Sequence, residues 1–456
     1  MEKEKTTRRR FIQKGTWGAA SLMIVPQTVL VRNGQTAPSD KLNLACIGVG
    51  GRGGDDLRSA RSENIVALCD VDSRSAERSF RQFPNAKQYK DYRVMFDEIE
   101  KEIDSVIVGI PDHSHSFAAM AALLRKKHLY CEKPLCHSIY ETRKVTEAAR
   151  EAGVQTQMGN QGHSSNEIRM LKEWIEDGAV GKIREVYAWS DRPVGGDPWS
   201  DFLVKARPKD TPPVPETLDW NLWLGPAKYR PYHPDYCPTT WRSWLAFGTG
   251  AIGDMGCHIM DPAYWALQLG APEYVEATTT HWEEEVSAET YPRAAIVHYH
   301  FPARGPLPPV ELTWFDGRLK PFVSADYLNG QKIGTNGALF IGEKGMILHG
   351  SHGAGGLRLE PESLRQSYKR PPETIPRVRG GQDGHLQDWI RACKDGNPCS
   401  SSFEYGGALT EMALLGVLAM QVKDERLYWD SQKVEIKNND MANAIVRPEF
   451  REGWTL

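Results

Sequence analysis

One stretch near the start of the chain decides its fold: Leu42-Asn43-Leu44-Ala45-Cys46-Ile47-Gly48-Val49-Gly50-Gly51-Arg52-Gly53. The run 42–47 is almost wholly apolar and predicts a buried parallel strand. Three glycines follow it in the GxGxxG spacing, and the stretch 55–61 after them predicts a helix. A strand that enters a helix through such a turn is typical of a dinucleotide-binding unit.

Each glycine of this turn has its own physical role. Gly48 permits the tight turn, Gly50 lets the backbone approach a pyrophosphate, and Gly53 lets the helix pack closely on the strand. The free N–H groups at the start of the helix then face the phosphates. The turn residues that we expect to bind the cofactor are Gly48, Gly50, Gly51, Arg52 and Gly53.

An acidic residue follows the second predicted strand. The apolar run 65–69 ends in Asp70, which lies 22 residues after Gly48. A carboxylate at this place meets the 2′-hydroxyl of the adenosine ribose and repels a 2′-phosphate, so we expect NAD rather than NADP. Asp72 is the alternative for this role, and Arg52 and Arg74 would weaken the preference for NAD.

Strands and helices then alternate to about residue 160. Strands are predicted at 104–110, 128–131 and 154–158, and helices at 117–125 and 139–151. This alternation predicts a doubly wound parallel sheet in a domain that spans 40–160. Ligands of such sheets lie beyond the carboxyl ends of the strands. The contacts expected there are Pro111, Asp112, His115, Glu132, Lys133 and Asn160.

The second half of the chain, 161–456, has a different pattern. Strand-like runs occur at 183–190, 274–280, 294–301, 310–315 and 336–349, and helices are predicted at 386–394 and 408–422. The stretch 193–240 is too rich in proline to be regular, and we expect it to fold over the site as a long loop. Six of the 14 tryptophans lie between Trp189 and Trp244. They form either a self-packed aromatic loop or a platform for the apolar face of a sugar ring.

Composition excludes several classes of protein. The 456 residues carry a net charge of −3, with no basic stripe of the kind that binds nucleic acid. The eight cysteines show no disulfide framework, although Cys393 and Cys399 could pair across a turn. No cysteine and histidine cluster has the spacing of a structural zinc site, so we expect no metal.

The first residues resemble an export signal. Thr7-Arg8-Arg9-Arg10-Phe11-Ile12 precedes a mildly apolar run, 15–31, in the layout of a twin-arginine signal. The apolar run is too short and too weak to span a membrane. We therefore set 1–38 apart as a signal segment and expect the folded protein to reach the periplasm. A basic, irregular N-terminus is the alternative.

Four segments in this order resemble the Gfo/Idh/MocA family of oxidoreductases. They are the turn 48–53, Pro111-Asp112-His113-Ser114-His115, Cys131-Glu132-Lys133-Pro134 and Gly250-Ala251-Ile252-Gly253-Asp254-Met255-Gly256-Cys257-His258. The resemblance implies an N-terminal Rossmann domain and a C-terminal α/β domain with a largely antiparallel open sheet. It also implies that Lys133, Asp254 and His258 form the catalytic group.

These residue types suit hydride-transfer chemistry. Lys133 can hydrogen-bond a substrate hydroxyl and polarise the forming C–O bond, while His258 can accept the hydroxyl proton as a general base. Asp254 lies four residues before His258, so the two side chains share a helical face if one helix contains both. Asp261-Pro262 also suits a helix start, and the helix would then begin only after His258. The expected substrate contacts are Lys133, Asn160, Arg242, Asp254 and His258.

The leading hypothesis is therefore an exported enzyme that oxidises a ring hydroxyl of a sugar, glycoside or cyclitol with tightly held NAD. One alternative is an NAD-dependent glycosidase or lyase that acts through transient oxidation. Another is a non-catalytic sugar- or nucleotide-binding protein, which would be favoured if Lys133 and His258 pointed away from the pocket. We also expect a homo-oligomer formed through the sheet of the C-terminal domain.

Overall fold

The computed structural model describes residues 40–194, 202–280, 283–324, 328, 330, 332–422 and 424–456. The predicted signal residues Arg8 and Arg9 lie outside the described residues.

A parallel sheet occupies the first part of the described chain. Its strands are β1 (Asn43–Ile47), β2 (Asn64–Cys69), β3 (Lys87–Tyr89), β4 (Ser105–Val108), β5 (His128–Cys131) and β6 (Thr156–Met158). They lie in the order β3-β2-β1-β4-β5-β6, and every neighbouring pair is parallel. The connecting helices are α1 (Gly51–Ser59), α2 (Ser73–Gln82), α3 (Tyr92–Ile99), α4 (His115–Leu123) and α5 (Ile139–Ala152). The predicted doubly wound sheet is confirmed.

A second, open sheet follows. After α6 (Asn166–Glu176), it contains β7 (Ile183–Trp189), β8 (Tyr274–Thr279), β9 (Ala295–Phe301), β10 (Val310–Phe315), β11 (Gly337–Gly342), β12 (Met346–His349), β13 (Arg358–Glu360), β14 (Leu427–Asp430) and β15 (Glu435–Ile436). The order is β13-β12-β11-β7-β10-β9-β8-β14-β15. Only the β7–β10 pair within it is parallel. The predicted, largely antiparallel sheet is confirmed.

The helices of the second half lie between and after these strands. They are α7 (Trp220–Leu224), α8 (Gly250–Ile259), α9 (Asp261–Ala266), α10 (Glu284–Ser287), α11 (Glu362–Ser367), α12 (His385–Asp395), α13 (Phe403–Gln421) and α14 (Asp440–Val446). Asp254 and His258 therefore share α8, because the helix that starts at Asp261 is a separate one. The prediction that they lie on one helical face holds.

Helix α1 begins at Gly51, four residues earlier than the predicted start at residue 55. Glycine is a poor helix former, so propensity alone placed the start too late. Close packing explains the difference: a Cβ on Gly53 would lie 2.1 Å from the carbonyl oxygen of Gly48. The glycine turn is thus the first turn of the helix, and no side chain of the described residues caps its N–H groups.

Helix α12 completes one face of the Rossmann sheet although it lies far along the chain. Its residues Leu386, Trp389 and Ile390 belong to the same buried cluster as Leu44 and Cys46 of β1. Hydrophobic contacts of this kind tie the end of the chain to the nucleotide-binding half and exclude water from that face of the sheet.

The segment before α8 is an aromatic layer. Trp220 and Trp223 stack with ring centroids 4.9 Å apart, and Trp244 is fully buried against Tyr236. The self-packed interpretation of this tryptophan-rich stretch is therefore supported for Trp220 and Trp244, whereas Trp223 and Trp241 also line the cavity described below. Trp199 lies outside the described residues.

The cysteines carry thiols, so the pairing of Cys393 with Cys399 that the sequence left open is not made. Within the described residues, no helix combines the length and apolar character needed to cross a membrane.

Replacing Gly53 with Ala should destabilise the protein, because the added Cβ would overlap the Gly48 carbonyl oxygen, a main-chain atom that cannot move away as a side chain could. We expect the free energy of unfolding to fall by about 1–3 kcal/mol, with weaker dinucleotide binding. Gly334→Ala is the matched control, since its Cβ meets nothing closer than the Asn336 carbonyl oxygen at 3.4 Å. Denaturant titration measures both variants, and equal unfolding midpoints would contradict this account.

Candidate active site

A cavity of about 880 Å³ runs along the carboxyl edge of the parallel sheet. One wall comes from the glycine turn and the loops after β2, β4 and β5, and the other from α8 and the segment before it. The predicted residues that line it are Gly48, Gly50, Gly51, Arg52, Asp70, Pro111, Asp112, His115, Glu132, Lys133, Arg242, Asp254 and His258. A cleft of this length and position suits a dinucleotide and a small substrate.

The glycine turn forms one part of the wall. Gly48 has a left-handed φ of 78°, and a Cβ there would lie 2.5 Å from the Gly109 carbonyl oxygen. A Cβ on Gly50 would lie 2.0 Å from Ser75 Oγ of α2. Glycine at this position therefore serves the close packing of the turn on α2 as well as the approach of a phosphate. Gly53 is buried behind the turn and does not line the cavity. The uncapped N–H groups of α1 remain free to bind phosphate oxygens.

Asp70 braces this turn from the end of β2. Its carboxylate accepts hydrogen bonds from the Val49 N–H at 2.9 Å and from the Asp72 N–H at 3.0 Å. Burial raises the pKa of Asp70, and these backbone donors partly oppose that rise. Asp72 instead caps α2 by accepting from the Arg74 N–H at 3.0 Å. Both acids line the cavity, and Asp70 keeps acceptor capacity for a ribose hydroxyl.

Arg52 links the glycine turn to the end of β5. Its guanidinium donates to Asp56 at 2.7 Å and to Glu132 at 3.1 Å, and Gln161 donates to the same Glu132 oxygen at 2.7 Å. Burial raises the pKa of Asp56, and the nearby Glu132 carboxylate raises it further. Arg52 and Glu132 therefore tie the glycine turn to the loop that carries Lys133. This role is separate from any contact that they make with a cofactor.

Lys133 and Asp254 form the central ion pair. Lys133 Nζ donates to the Asp254 carboxylate at 2.8 Å and to the Asp254 carbonyl oxygen at 2.6 Å. Arg192 also pairs with this carboxylate, and Arg242 Nε lies 3.5 Å from it. Burial by itself would raise the pKa of Asp254, but the three cations hold it well below its ordinary value. Asp254 is thus an anion that fixes three cationic side chains at one end of the cavity.

His258 lies one helical turn after Asp254, against a second histidine. The rings of His258 and His352 have centroids 4.1 Å apart. Burial lowers the pKa of His258 well below its ordinary value, and His352 and Lys133 add to the effect. Burial also lowers the pKa of His352, to about 4. Because both imidazoles are neutral near pH 7, His258 can accept a proton there.

Arg192 and His352 are site residues that the sequence did not single out. Arg192 lies just past the end of β7, a position that could have marked it, because the loops after strand ends carry ligand contacts. His352 sits in Gly350-Ser351-His352-Gly353-Ala354-Gly355-Gly356, where Gly353 and Ala354 have left-handed φ values of 58° and 61°. That glycine-rich run after a predicted hairpin was the available signal.

Three predicted contacts are engaged with the protein itself. Asn160 is fully buried, donates to Asp261 at 3.2 Å, accepts from Ser401 at 2.7 Å and does not line the cavity. Asp112 lines the cavity but accepts from Thr249 at 2.7 Å. His115 lies 2.9 Å from the Pro134 carbonyl oxygen and 2.7 Å from that of Ile110. These side chains fix the loops that shape the cleft.

The described residues contain no cluster of three or more histidine, cysteine, aspartate or glutamate side chains placed to hold a metal ion. Around Lys133, the described groups available for chemistry include an ammonium, the Asp254 carboxylate, two guanidinium groups and two neutral imidazoles.

Two protein-family models match the chain. The first, described as an oxidoreductase family with an NAD-binding Rossmann fold, matches residues 42–160. The second, described as the C-terminal alpha/beta domain of the same Gfo/Idh/MocA oxidoreductases, matches residues 164–299. Together they span more than half of the chain, and the predicted NAD-binding Rossmann domain is confirmed.

Individual relatives are more distant. An inositol 2-dehydrogenase of Salmonella typhimurium is 29% identical over 147 residues, which are 31% of this chain and 43% of that protein. A levoglucosan dehydrogenase of Pseudarthrobacter phenanthrenivorans is 22% identical over 219 residues, 48% of this chain and 46% of that protein. The alignments thus span less than half of each relative.

A solved structure extends the likeness in fold to most of the chain. The WlbA dehydrogenase of Bordetella pertussis, in complex with NADH and UDP-GlcNAcA, superposes with a TM-score of 0.58 at 16% identity. The superposition covers 86% of this chain and 99% of that one. At this identity the likeness concerns the fold.

Replacing Asp254 with Asn should destabilise the protein, because Lys133, Arg192 and Arg242 would lose the charge that they share. We expect a loss of about 3–5 kcal/mol in the free energy of unfolding, as for other broken buried ion pairs. Glu147→Gln is the control: it removes an exposed partner of Lys144, and such pairs contribute about 0–1 kcal/mol. A loss for Asp254→Asn no larger than the control's would refute the shared-anion account in a denaturant titration.

Proposed function

The chain belongs to the Gfo/Idh/MocA oxidoreductase family, and from this premise we propose that it is an NAD-dependent dehydrogenase that oxidises a ring hydroxyl of a sugar, glycoside or cyclitol. One observation carries the proposal: Lys133 and a neutral His258 both line the cavity whose other end holds the glycine turn. The alternative of a non-catalytic binding protein would be favoured if these side chains pointed away from the pocket, and both line it. The names of the two curated relatives, an inositol and a levoglucosan dehydrogenase, agree with a polyhydroxylated ring as substrate.

Lys133 binds and polarises the substrate oxygen. An ammonium has three donors, and Asp254 engages two of them, so one remains to donate to the hydroxyl that becomes a carbonyl. The salt bridge keeps the flexible lysine chain in place. Its positive charge stabilises the negative charge that develops on the oxygen as the proton leaves.

His258 accepts that proton. Its Nδ1 atom is buried without a partner among the described residues, which leaves Nε2 as the nitrogen that can face the substrate. Bound NAD supplies the acceptor for the two electrons and the hydrogen released from the ring carbon. Arg192 and Arg242 lie beside Asp254 on the cavity wall and can donate to neighbouring hydroxyls of the ring.

The cofactor preference rests on Asp70. Its buried carboxylate sits at the end of β2, where a 2′-phosphate would be repelled, and this supports NAD. Arg74, Arg78 and Lys90 line the same end of the cavity and moderate that repulsion.

The proposal is tested by mixing purified protein with a panel of pyranoses, glycosides and cyclitols and measuring the absorbance of NADH. At least one ring should reduce NAD, and Lys133→Met should lower kcat by about 10²–10³-fold because it removes a positioned charged donor. Lys144→Met, which removes an exposed lysine that pairs with Glu147, is the control and should retain full activity. A kcat for Lys133→Met within tenfold of the wild type would contradict the assigned role of Lys133.

We further propose that the folded protein is exported through the twin-arginine signal at Arg8 and Arg9 with its NAD inside. Replacing both arginines with lysine should leave the protein in the cytoplasm with the same nucleotide content, as cell fractionation and mass spectrometry would measure. Wild-type protein found only in the cytoplasm would overturn the export proposal. Periplasmic protein without nucleotide would overturn cofactor retention.

A further inference from the structure

The last residues of the chain return to the nucleotide-binding half. Phe450 and Trp454 both make edge contacts with Phe117 of α4, at centroid distances of 5.0 and 5.1 Å. The guanidinium of Arg93, on α3, lies 5.1 Å from the centre of the Trp454 ring. Trp454 also lines the cavity that contains the glycine turn, whereas Phe450 does not. The C-terminal tail, residues 447–456, therefore contributes one side chain to the cleft.

The sheet order shows which end of the cleft Trp454 closes. The outermost strand on one side is β3, and its loop brings Lys90 and Tyr92 to the cavity next to Arg93, the partner of Trp454. Lys133 lies on the opposite side, after β5. In a Rossmann sheet the adenosine lies on the side of β2, whose Asp70 meets the ribose. Trp454 thus stands at the adenosine end.

Other contacts hold the tail in this position. The Arg451 N–H donates to the Pro226 carbonyl oxygen at 2.9 Å, and its guanidinium donates to Asn221 Oδ1 at 3.0 Å. Asn221 belongs to α7, the helix after the segment that pairs with the β2–α2 loop. In that pairing the Ser73 N–H donates to Thr217 at 3.0 Å. The tail and the α7 segment therefore pack together at the adenosine end of the cleft.

The ring of Trp454 is only partly buried, and its indole N–H makes no hydrogen bond to another described residue. Tryptophan N–H groups usually find a partner when the ring packs inside a protein. A ligand that fills the adenosine end would cover this ring.

We propose that Trp454 contacts the adenosine half of the bound dinucleotide and that the C-terminal tail closes this end of the cleft against cofactor release. The inference rests on the proposed NAD-dependent function, and it identifies a cofactor-binding residue outside both segments matched by the family models. Aromatic side chains bind bases of any sequence through their π faces. The tail contacts α3, α4 and α7, and in this proposal these contacts slow dissociation of the cofactor.

The test uses ADP-ribose, which carries the adenosine half without the nicotinamide, beside NAD itself. Calorimetric titration of protein stripped of nucleotide should give a Kd for each ligand that is about five- to a hundredfold higher in Trp454→Ala than in the wild type. Trp454→Phe should recover most of the affinity. Phe322→Ala, which removes an aromatic ring that is 96% exposed, is the control and should bind as the wild type does. NAD should also leave Trp454→Ala faster, as rapid-mixing fluorescence would measure.

Trp454→Leu separates binding from packing, because leucine can still contact Phe117 but cannot stack on a base. It should bind as weakly as the alanine variant while unfolding at the wild-type temperature. Wild-type Kd values for ADP-ribose in folded Trp454→Ala or Trp454→Leu would overturn the inference and leave the proposed function intact. Failure of the wild type to bind either ligand would overturn both. A weakened Kd for NAD with an unchanged Kd for ADP-ribose would place Trp454 away from the adenosine and overturn the inference as well.

Discussion

The ion pair between Lys133 and Asp254 joins the two halves of this protein at the point where chemistry is expected. Lys133 follows β5 of the Rossmann sheet, and Asp254 lies on α8, which packs against α13. The lysine engages both the carboxylate and the main-chain carbonyl of Asp254, so its position is tied to the helix itself. Any shift of α8 relative to β5 would change where the ammonium stands. The position of the Lys133 ammonium in the cleft depends on this constraint.

The same cluster sets the protonation states around it. Asp254 stays ionised because three cations surround it, while burial, with contributions from His352, Lys133 and Arg192, keeps His258 neutral. A general base next to an ammonium is thereby available at neutral pH. The proton that His258 accepts is held weakly, since the pKa of His258 is low. Such a base can release the proton readily after each oxidation.

Local sequence signals predicted the parts of the site that depend on local geometry. The glycine turn, Asp70 after β2, and the helical pairing of Asp254 with His258 all follow from spacing within one element or one turn. Arg192 and His352 each had a local signal, a strand end and a glycine-rich run, but neither signal showed that the side chain reaches this cleft. Trp454 had no such signal, because it reaches the cleft through contacts between distant segments. Asn160 shows the converse: its position after β6 suggested a ligand contact, but long-range bonds to Asp261 and Ser401 bury it. The start of α1 was misplaced because packing of Gly53 overrides its low helix propensity.

A crystal structure of the protein with bound NAD tests the central claim most directly. The account predicts one dinucleotide spanning the cleft, with its adenosine beside Asp70 and Trp454, its pyrophosphate on the N–H groups of α1, and its nicotinamide facing Lys133 and His258. The measurement that decides is the distance from the nicotinamide C4 atom to Lys133 Nζ and to His258 Nε2, which should leave room for one sugar carbon and its hydroxyl between them. A nicotinamide ring turned away from these two residues, or an adenosine bound at the Lys133 end, would contradict it.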